Sequence, residues 1–138
     1  MLEDIFDKQN DLNCRINPAF WEQVNDPDKR RQLFLQFELA LRQESCEAID
    51  SLSWKWWKKM DDDWDNVKIE LVDMLHFWVS MCLVAKMTPQ DVMALYFKKN
   101  DLNHKRQDQG YKEGTYQKII EGVEDNQALI RSMKDEPQ

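Results

Sequence analysis

The chain has 138 residues, 42% of them hydrophobic and 33% charged, which is enough for a packed core and argues against intrinsic disorder. Only three glycines and four prolines are present, which speaks against turn-dense β-sandwiches and glycine-rich nucleotide loops. With 26 acidic against 19 basic residues the net charge is −7, so neither a nucleic-acid polymer nor an anionic membrane is an expected partner.

The acidic start, MLEDIFDK, lacks the basic region and apolar run of a signal peptide. A first helix is expected over about residues 2–13, with Ile5, Phe6, Gln9 and Asn13 near one side. Prolines punctuate residues 17–27, which read as a connection with a turn or two. Asp26 or Asp28 can cap a second helix over about 29–58, where Leu33, Phe34, Phe37, Leu41, Ala48 and Leu52 keep helical spacing. A break follows at Lys58-Lys59-Met60-Asp61-Asp62-Asp63, whose aspartates suit the positive end of the next helix.

That third helix, about 64–86, is apolar on most faces from Leu71 onward, the pattern of a helix buried among others or at a subunit interface. Its most apolar part is interrupted by Asp73 and His76 and is too short to span a bilayer. Thr88-Pro89-Gln90-Asp91 restarts the chain as a fourth helix to about residue 107, before Gly110. All three glycines fall in the tail, with a last short helix at about 127–134. The reading is one all-α domain over residues 1–138, a compact helical bundle with a flexible C-terminal tail from about 127. Cys14, Cys46 and Cys82, odd in number and without CxxC spacing, suit a reducing cytoplasm.

Two features rise above this background. Glu44-x-x-Glu47 and Glu70-x-x-Asp73 each place two carboxylates on one helix face. The pairs mirror each other about a point between Lys58 and Lys59, so an antiparallel hairpin brings all four together. Four such charges need compensation, and a hard divalent cation such as Mg²⁺ supplies it through oxygen ligands. ExxE is also common on solvated helix faces; the mirrored repetition is what favours a metal site. A di-iron bundle would need ExxH pairs, which only Asp73-x-x-His76 approximates.

The second feature is a local charge reversal. Residues 98–118 carry six basic against three acidic side chains, interleaved with Asn100, Asn103, Gln107, Tyr111 and Tyr116, groups suited to phosphate oxygens. A plain solvated helix end is the competing reading, since bases favour helix C-termini. Trp54, Trp56 and Trp57 cluster after the first acidic pair; aromatics at such spacing are mostly core, although one can wall a base.

Glu44-x-x-Glu47, the SLSWKWWK run, Glu70-x-x-Asp73-x-x-His76-Phe77 and the string KNDLNHKRQDQGYKEGTY, followed by Glu124-Asp125-Asn126, resemble the dimeric all-α dUTPases. Related phage enzymes that also accept dCTP share the pattern, within the wider MazG-like nucleoside-triphosphate pyrophosphatases. The resemblance covers about residues 5–126. It implies a homodimer that hydrolyses dUTP, and commonly dUDP, to dUMP with Mg²⁺, for which Mn²⁺ is a possible substitute. It also implies Glu44, Glu47, Glu70 and Asp73 as metal ligands, with Glu44 or Glu47 as the catalytic base.

By the same resemblance Lys99, Asn103, Arg106, Tyr111, Lys112, Lys118 and Asn126 hold the phosphates. Gln9, Asn13, Trp56, His76 and Phe77 form the nucleoside pocket, the two amides reading the uracil edge. This chain is shorter than many members of the family, which implies looser selectivity, for example toward dCTP. Two other readings stand beside the dUTPase: a broad-specificity MazG-like pyrophosphatase, and a non-catalytic helical interaction module.

Overall fold

Phe6, Gln9 and Asn13, three and four residues apart, are the buried face of the first helix, α1 (Leu2–Ile16). In the computed structural model, which describes residues 1–134, the proline-punctuated connection contains a short helix, α2 (Phe20–Asn25), whose Phe20 and Val24 are buried. Asp26 then caps α3 (Pro27–Asp50), its side chain accepting from the backbone N–H groups of Asp28 and Lys29 at 3.0 and 3.1 Å. Pro27 begins that helix where its missing N–H costs nothing.

α3 stops at Asp50, eight residues before the end expected from its apolar spacing. Ser51 is the reason. Its hydroxyl donates back to the Glu47 carbonyl at 2.9 Å and accepts from Asn66 Nδ2 at 2.8 Å. Its own carbonyl, which a continuing helix would give to residue 55, accepts instead from the Asp63 N–H at 2.8 Å. Residues 51–63 therefore form an irregular connection, with Ser53 N–H donating to Asp62. Asp63 caps α4 (Trp64–Val84) through the Asn66 N–H, close to the expected start.

α4 packs against both α3 and α1, and α2 packs on α3. The core comprises Phe6, Phe20, Val24 and Leu33 with Val79, Met81, Cys82, Leu83 and Val84. Phe37 links it outward, with ring centroids 6.4 Å from both Phe20 and Phe77. Only the last six residues of α4, from Val79 to Val84, are continuously buried; Leu71, Val72, Leu75 and Trp78 are exposed. Arg30 of α3 donates Nε to the Val84 carbonyl at 2.7 Å, satisfying one of the last acceptors of α4.

Beyond Val84 the backbone turns through Lys86 at φ 62°, with Lys86 N–H bonded to Leu83 O and Met87 N–H to Cys82 O, both at 2.9 Å. This pairing usually employs glycine, because a Cβ is strained in the left-handed region. Lys86→Gly is expected to stabilise the fold by about 0.5–1 kcal/mol, net of the greater freedom of glycine in the unfolded chain. A urea-unfolding midpoint that falls instead of rising would show that the Lys86 Nζ bond to Asn25, 2.9 Å, outweighs the strain.

The chain divides into two compact units, Met1–Pro89 and the segment from Gln90 onward. The second begins with α5 (Pro89–Asp108), as the Thr88-Pro89 restart predicts. Gly110, at φ 89°, closes the helix end, with Gly110 N–H bonded to Gln107 O at 3.1 Å and Tyr111 N–H to Arg106 O at 2.9 Å. A Cβ there would lie 2.0 Å from Thr115 Oγ1.

A hairpin unforeseen in the sequence follows: β1 (Ile119–Ile120) pairs antiparallel with β2 (Val123–Glu124). Glu121 and Gly122 turn it at φ 52° and 80°. α6 (Asp125–Lys134) runs through most of the stretch expected to be a flexible tail; residues 135–138 lie outside the described residues. The architecture is all-α with this one small hairpin. No helix of the described residues is long and apolar enough to cross a membrane.

Candidate active site

Helix spacing and the 51–63 connection together decide which carboxylates meet. Glu44 and Glu47 project from the last turns of α3 and Glu70 from the second turn of α4, with ligand oxygens all within 4.8 Å of one another. Asp73 is not part of this trio, although its charge still acts on Glu44. Burial, then the hydrogen bond shared with Glu70, then the charges of Glu47, Asp73 and Glu70 push the Glu44 carboxyl above its ordinary pKa.

Glu70 is buried and held by Asn66, whose Nδ2 donates to its Oε1 at 2.9 Å and to Ser51 at 2.8 Å. Gln43 Nε2 donates to Glu47 Oε1 at 3.0 Å. Three hard oxygen donors that crowd each other electrostatically fit a small divalent cation of the Mg²⁺ type, which would relieve the crowding. Asn66 went unnoticed in the sequence, although its i,i+4 spacing to Glu70 was a visible signal.

Gln9, Asn13 and His76 come together where α1 crosses α4. His76 Nδ1 lies 2.6 Å from Gln9 Oε1, Gln9 Nε2 donates to Asn13 Oδ1 at 3.0 Å, and Asn13 Nδ2 donates to Ser80 Oγ at 3.0 Å. Gln9, His76 and Lys8 line a mostly apolar cavity of about 290 Å³ with Ile5, Leu12, Val72 and Leu75; Asn13 is itself buried. Trp56 and Phe77 are not among its lining residues. Trp56, 91% exposed, stacks edge-on with Trp57 in the 51–63 connection, and Phe77 packs on Phe37.

In the second unit the basic arm gathers on an acidic residue. Arg106 donates Nε and one terminal nitrogen to the two carboxylate oxygens of Asp125 at 2.8 and 2.6 Å, and Tyr116 OH donates to Asp125 at 2.9 Å. The Arg106 and Asp125 side chains are only 11% and 6% exposed. Asn103 accepts from Arg106 at 3.3 Å, and Asn126 Oδ1 accepts from Arg106 at 3.4 Å and from Lys99.

The bidentate Arg106 pairing holds the Asp125 carboxyl well below the usual range and raises the guanidinium further. Lys118 lies 5.6 Å over the ring of Tyr111, which packs beside Tyr116, and Lys112 is exposed. Asp125, the hub of this arrangement, was quoted in the sequence string but given no role there.

Comparison with known proteins gives a match to the dUTPase family over residues 1–89. That stretch coincides with the first unit and contains the carboxylate trio and the Gln9–His76 cavity; the basic arm lies beyond it. A dCTP pyrophosphatase of Enterobacteria phage LZ5 is 32% identical over 78 residues, 47% of this chain and 45% of that protein. A dCTP pyrophosphatase of Enterobacteria phage T4 is 31% identical over 98 residues, 61% of this chain and 55% of that protein. The chain thus spans about half the length of these relatives.

Proposed function

The chain belongs to the dUTPase family, and on that premise we propose that it is a nucleotide pyrophosphohydrolase converting dUTP to dUMP and pyrophosphate, and dUDP to dUMP and phosphate. The observation that carries the reading is the carboxylate trio of Glu44, Glu47 and Glu70, set in the same unit as a cavity with amide and imidazole groups. Glu44, Glu47 and Glu70, with Asp73, would hold Mg²⁺, or Mn²⁺ in its place. Bound there, the cation supplies charge neutralisation at phosphate oxygens and a lowered pKa for water.

The chain's own groups do the rest. Glu44 or Glu47 accepts a proton from the attacking water. Asn66 keeps Glu70 in position through its Nδ2 bond at 2.9 Å. The apolar walls of the cavity exclude water from the base, while Gln9 and His76 offer it hydrogen-bonding groups. For the second unit we retain the phosphate-holding role that the resemblance implies for Lys99, Asn103, Arg106, Tyr111, Lys112, Lys118 and Asn126. Trp56 and Phe77 keep a proposed role as aromatic walls.

The names of both phage relatives favour a second reading, in which dCTP is hydrolysed to dCMP and pyrophosphate. Incubation with Mg²⁺ and each of dUTP, dCTP, dTTP and UTP, followed by separation of products, decides between them. Monophosphate from dUTP alone supports the first reading, and monophosphate from dCTP the second. Comparable turnover of all four indicates a broad MazG-like enzyme, and none leaves a helical binding module.

We also propose a homodimer, because Leu71, Leu75 and Trp78 form an exposed apolar row at helical spacing on α4. Sedimentation should give twice the chain mass, and Leu71→Asp should shift it toward the monomer. A monomeric native protein removes this proposal.

A further inference from the structure

Ser80 has no part in the chemistry above, yet it is completely buried and ends the chain of hydrogen bonds that reaches the cavity. Its hydroxyl donates to the His76 backbone carbonyl at 2.9 Å, a group that can only accept. The same hydroxyl lies 3.4 Å from Asn13 Oδ1, a longer and weaker alternative. A hydroxyl has one proton, so donation to the carbonyl leaves Ser80 Oγ as an acceptor toward α1.

Every later direction follows from that first one. Asn13 must turn its amino group to Ser80, at 3.0 Å, and its oxygen to Gln9. Gln9 then gives its amino group to Asn13 and its oxygen to His76, at 2.6 Å. An oxygen at that distance requires a proton on His76 Nδ1. In the neutral ring the other nitrogen, Nε2, is left bare.

We propose that Ser80 is a positioning residue for substrate selection: through Asn13 and Gln9 it fixes His76 as the Nδ1–H tautomer, presenting Nε2 to a base that carries an N–H donor. Uracil N3–H and the cytosine amino group are such donors. Without Ser80 the chain loses its fixed end, and the reverse direction becomes equally available, with Gln9 donating to Nδ1 and the proton on Nε2. That form repels an N–H donor. The substrate part of this inference rests on the base occupying the cavity, as proposed above; the tautomer part does not.

The test is ¹⁵N NMR of the imidazole in full-length protein at about pH 9, above the ordinary imidazole range. The chain has only two histidines, so a His104→Gln background isolates the signals of His76. A protonated Nδ1 with unprotonated Nε2 is expected, and a proton on Nε2 overturns the proposal. Ser80→Ala should give a mixture or the reversed tautomer, and Ser80→Thr should restore the original. An unchanged tautomer in Ser80→Ala also overturns it.

If Ser80→Ala fails to fold, the spectrum of the chain carrying Ser80 decides alone. Kinetically, Ser80→Ala should raise KM for the preferred pyrimidine nucleotide about tenfold with little change in kcat, and Ser80→Thr should reverse this. An unchanged KM beside a changed tautomer refutes the substrate role. Absence of turnover in the native protein refutes the enzymatic reading and with it the selection role, while the NMR result still decides the tautomer.

Discussion

Replacing Glu70 with glutamine is expected to lower pyrophosphohydrolase activity about a thousandfold, equivalent to about 4 kcal/mol of transition-state stabilisation. Glutamine has the same shape and retains an oxygen for Asn66 Nδ2, 2.9 Å away in the native arrangement, so the fold should survive. What disappears is one of three carboxylates within 4.8 Å of each other. Without metal the variant should melt no lower than the native protein, because a buried charge has been removed from a crowded cluster.

Mg²⁺ should raise the native melting temperature by several degrees and leave the variant nearly unaffected. The effect should also depend on pH. Glu44 has a raised pKa in the fold, so its contribution to metal-free stability is fully present below its unfolded value of about 4.3. That contribution is lost as pH rises through the folded value, and the stabilisation by Mg²⁺ should grow over the same interval. Full activity in Glu70→Gln, or an equal Mg²⁺ shift in both proteins, would eliminate the metal site.

Asp125→Ala is expected to cost the second unit about 3 kcal/mol, the usual scale for stranding one partner of a buried ion pair. It removes both acceptors of the Arg106 fork and the acceptor of the Tyr116 hydroxyl. Hydrogen exchange should accelerate in peptides from residues 90–134 and much less in residues 1–89. Asp125 has a depressed pKa, so its stabilisation is present above the unfolded value of about 3.9 and is lost as pH falls toward the folded one. The native second unit should accordingly loosen in acid below about pH 4, and Asp125→Ala should flatten that dependence. Unaltered exchange in the variant would mean that the Arg106–Asp125 pair contributes little to holding this unit together.

The helices were legible where caps and apolar spacing coincide: Asp26 or Asp28 for α3, the aspartate run 61–63 for α4 and Thr88-Pro89 for α5. The end of α3 was not, because Leu52 continues the apolar spacing while the decisive bonds come from Asp63, the N-cap of α4, and Asn66 in its first turn. Such nonlocal termination leaves little local trace. The hairpin had a trace that was passed over, since β-branched Ile119, Ile120 and Val123 flank Glu121-Gly122.

Mirrored spacing pointed to a carboxylate cluster, and the tight trio within it is Glu44, Glu47 and Glu70, with the Asp73 charge acting on Glu44. Local charge likewise marked Arg106 as a cation without revealing its partner nineteen residues away. Ser80 and Asn66 act by orienting other polar groups, and neither role can be read from residue type alone.

The division at Pro89 also sorts the chromophores. All six tryptophans, from Trp21 to Trp78, lie in the first unit, and all three tyrosines, Tyr96, Tyr111 and Tyr116, lie in the second. The chain therefore carries its own pair of optical labels: red-edge excitation selects the tryptophans, and the tyrosine signal is the difference from excitation of both. Superimposable melting curves from the two fluorophores would mark the chain as a single cooperative system, while curves that part would let each unit be followed through the other's unfolding.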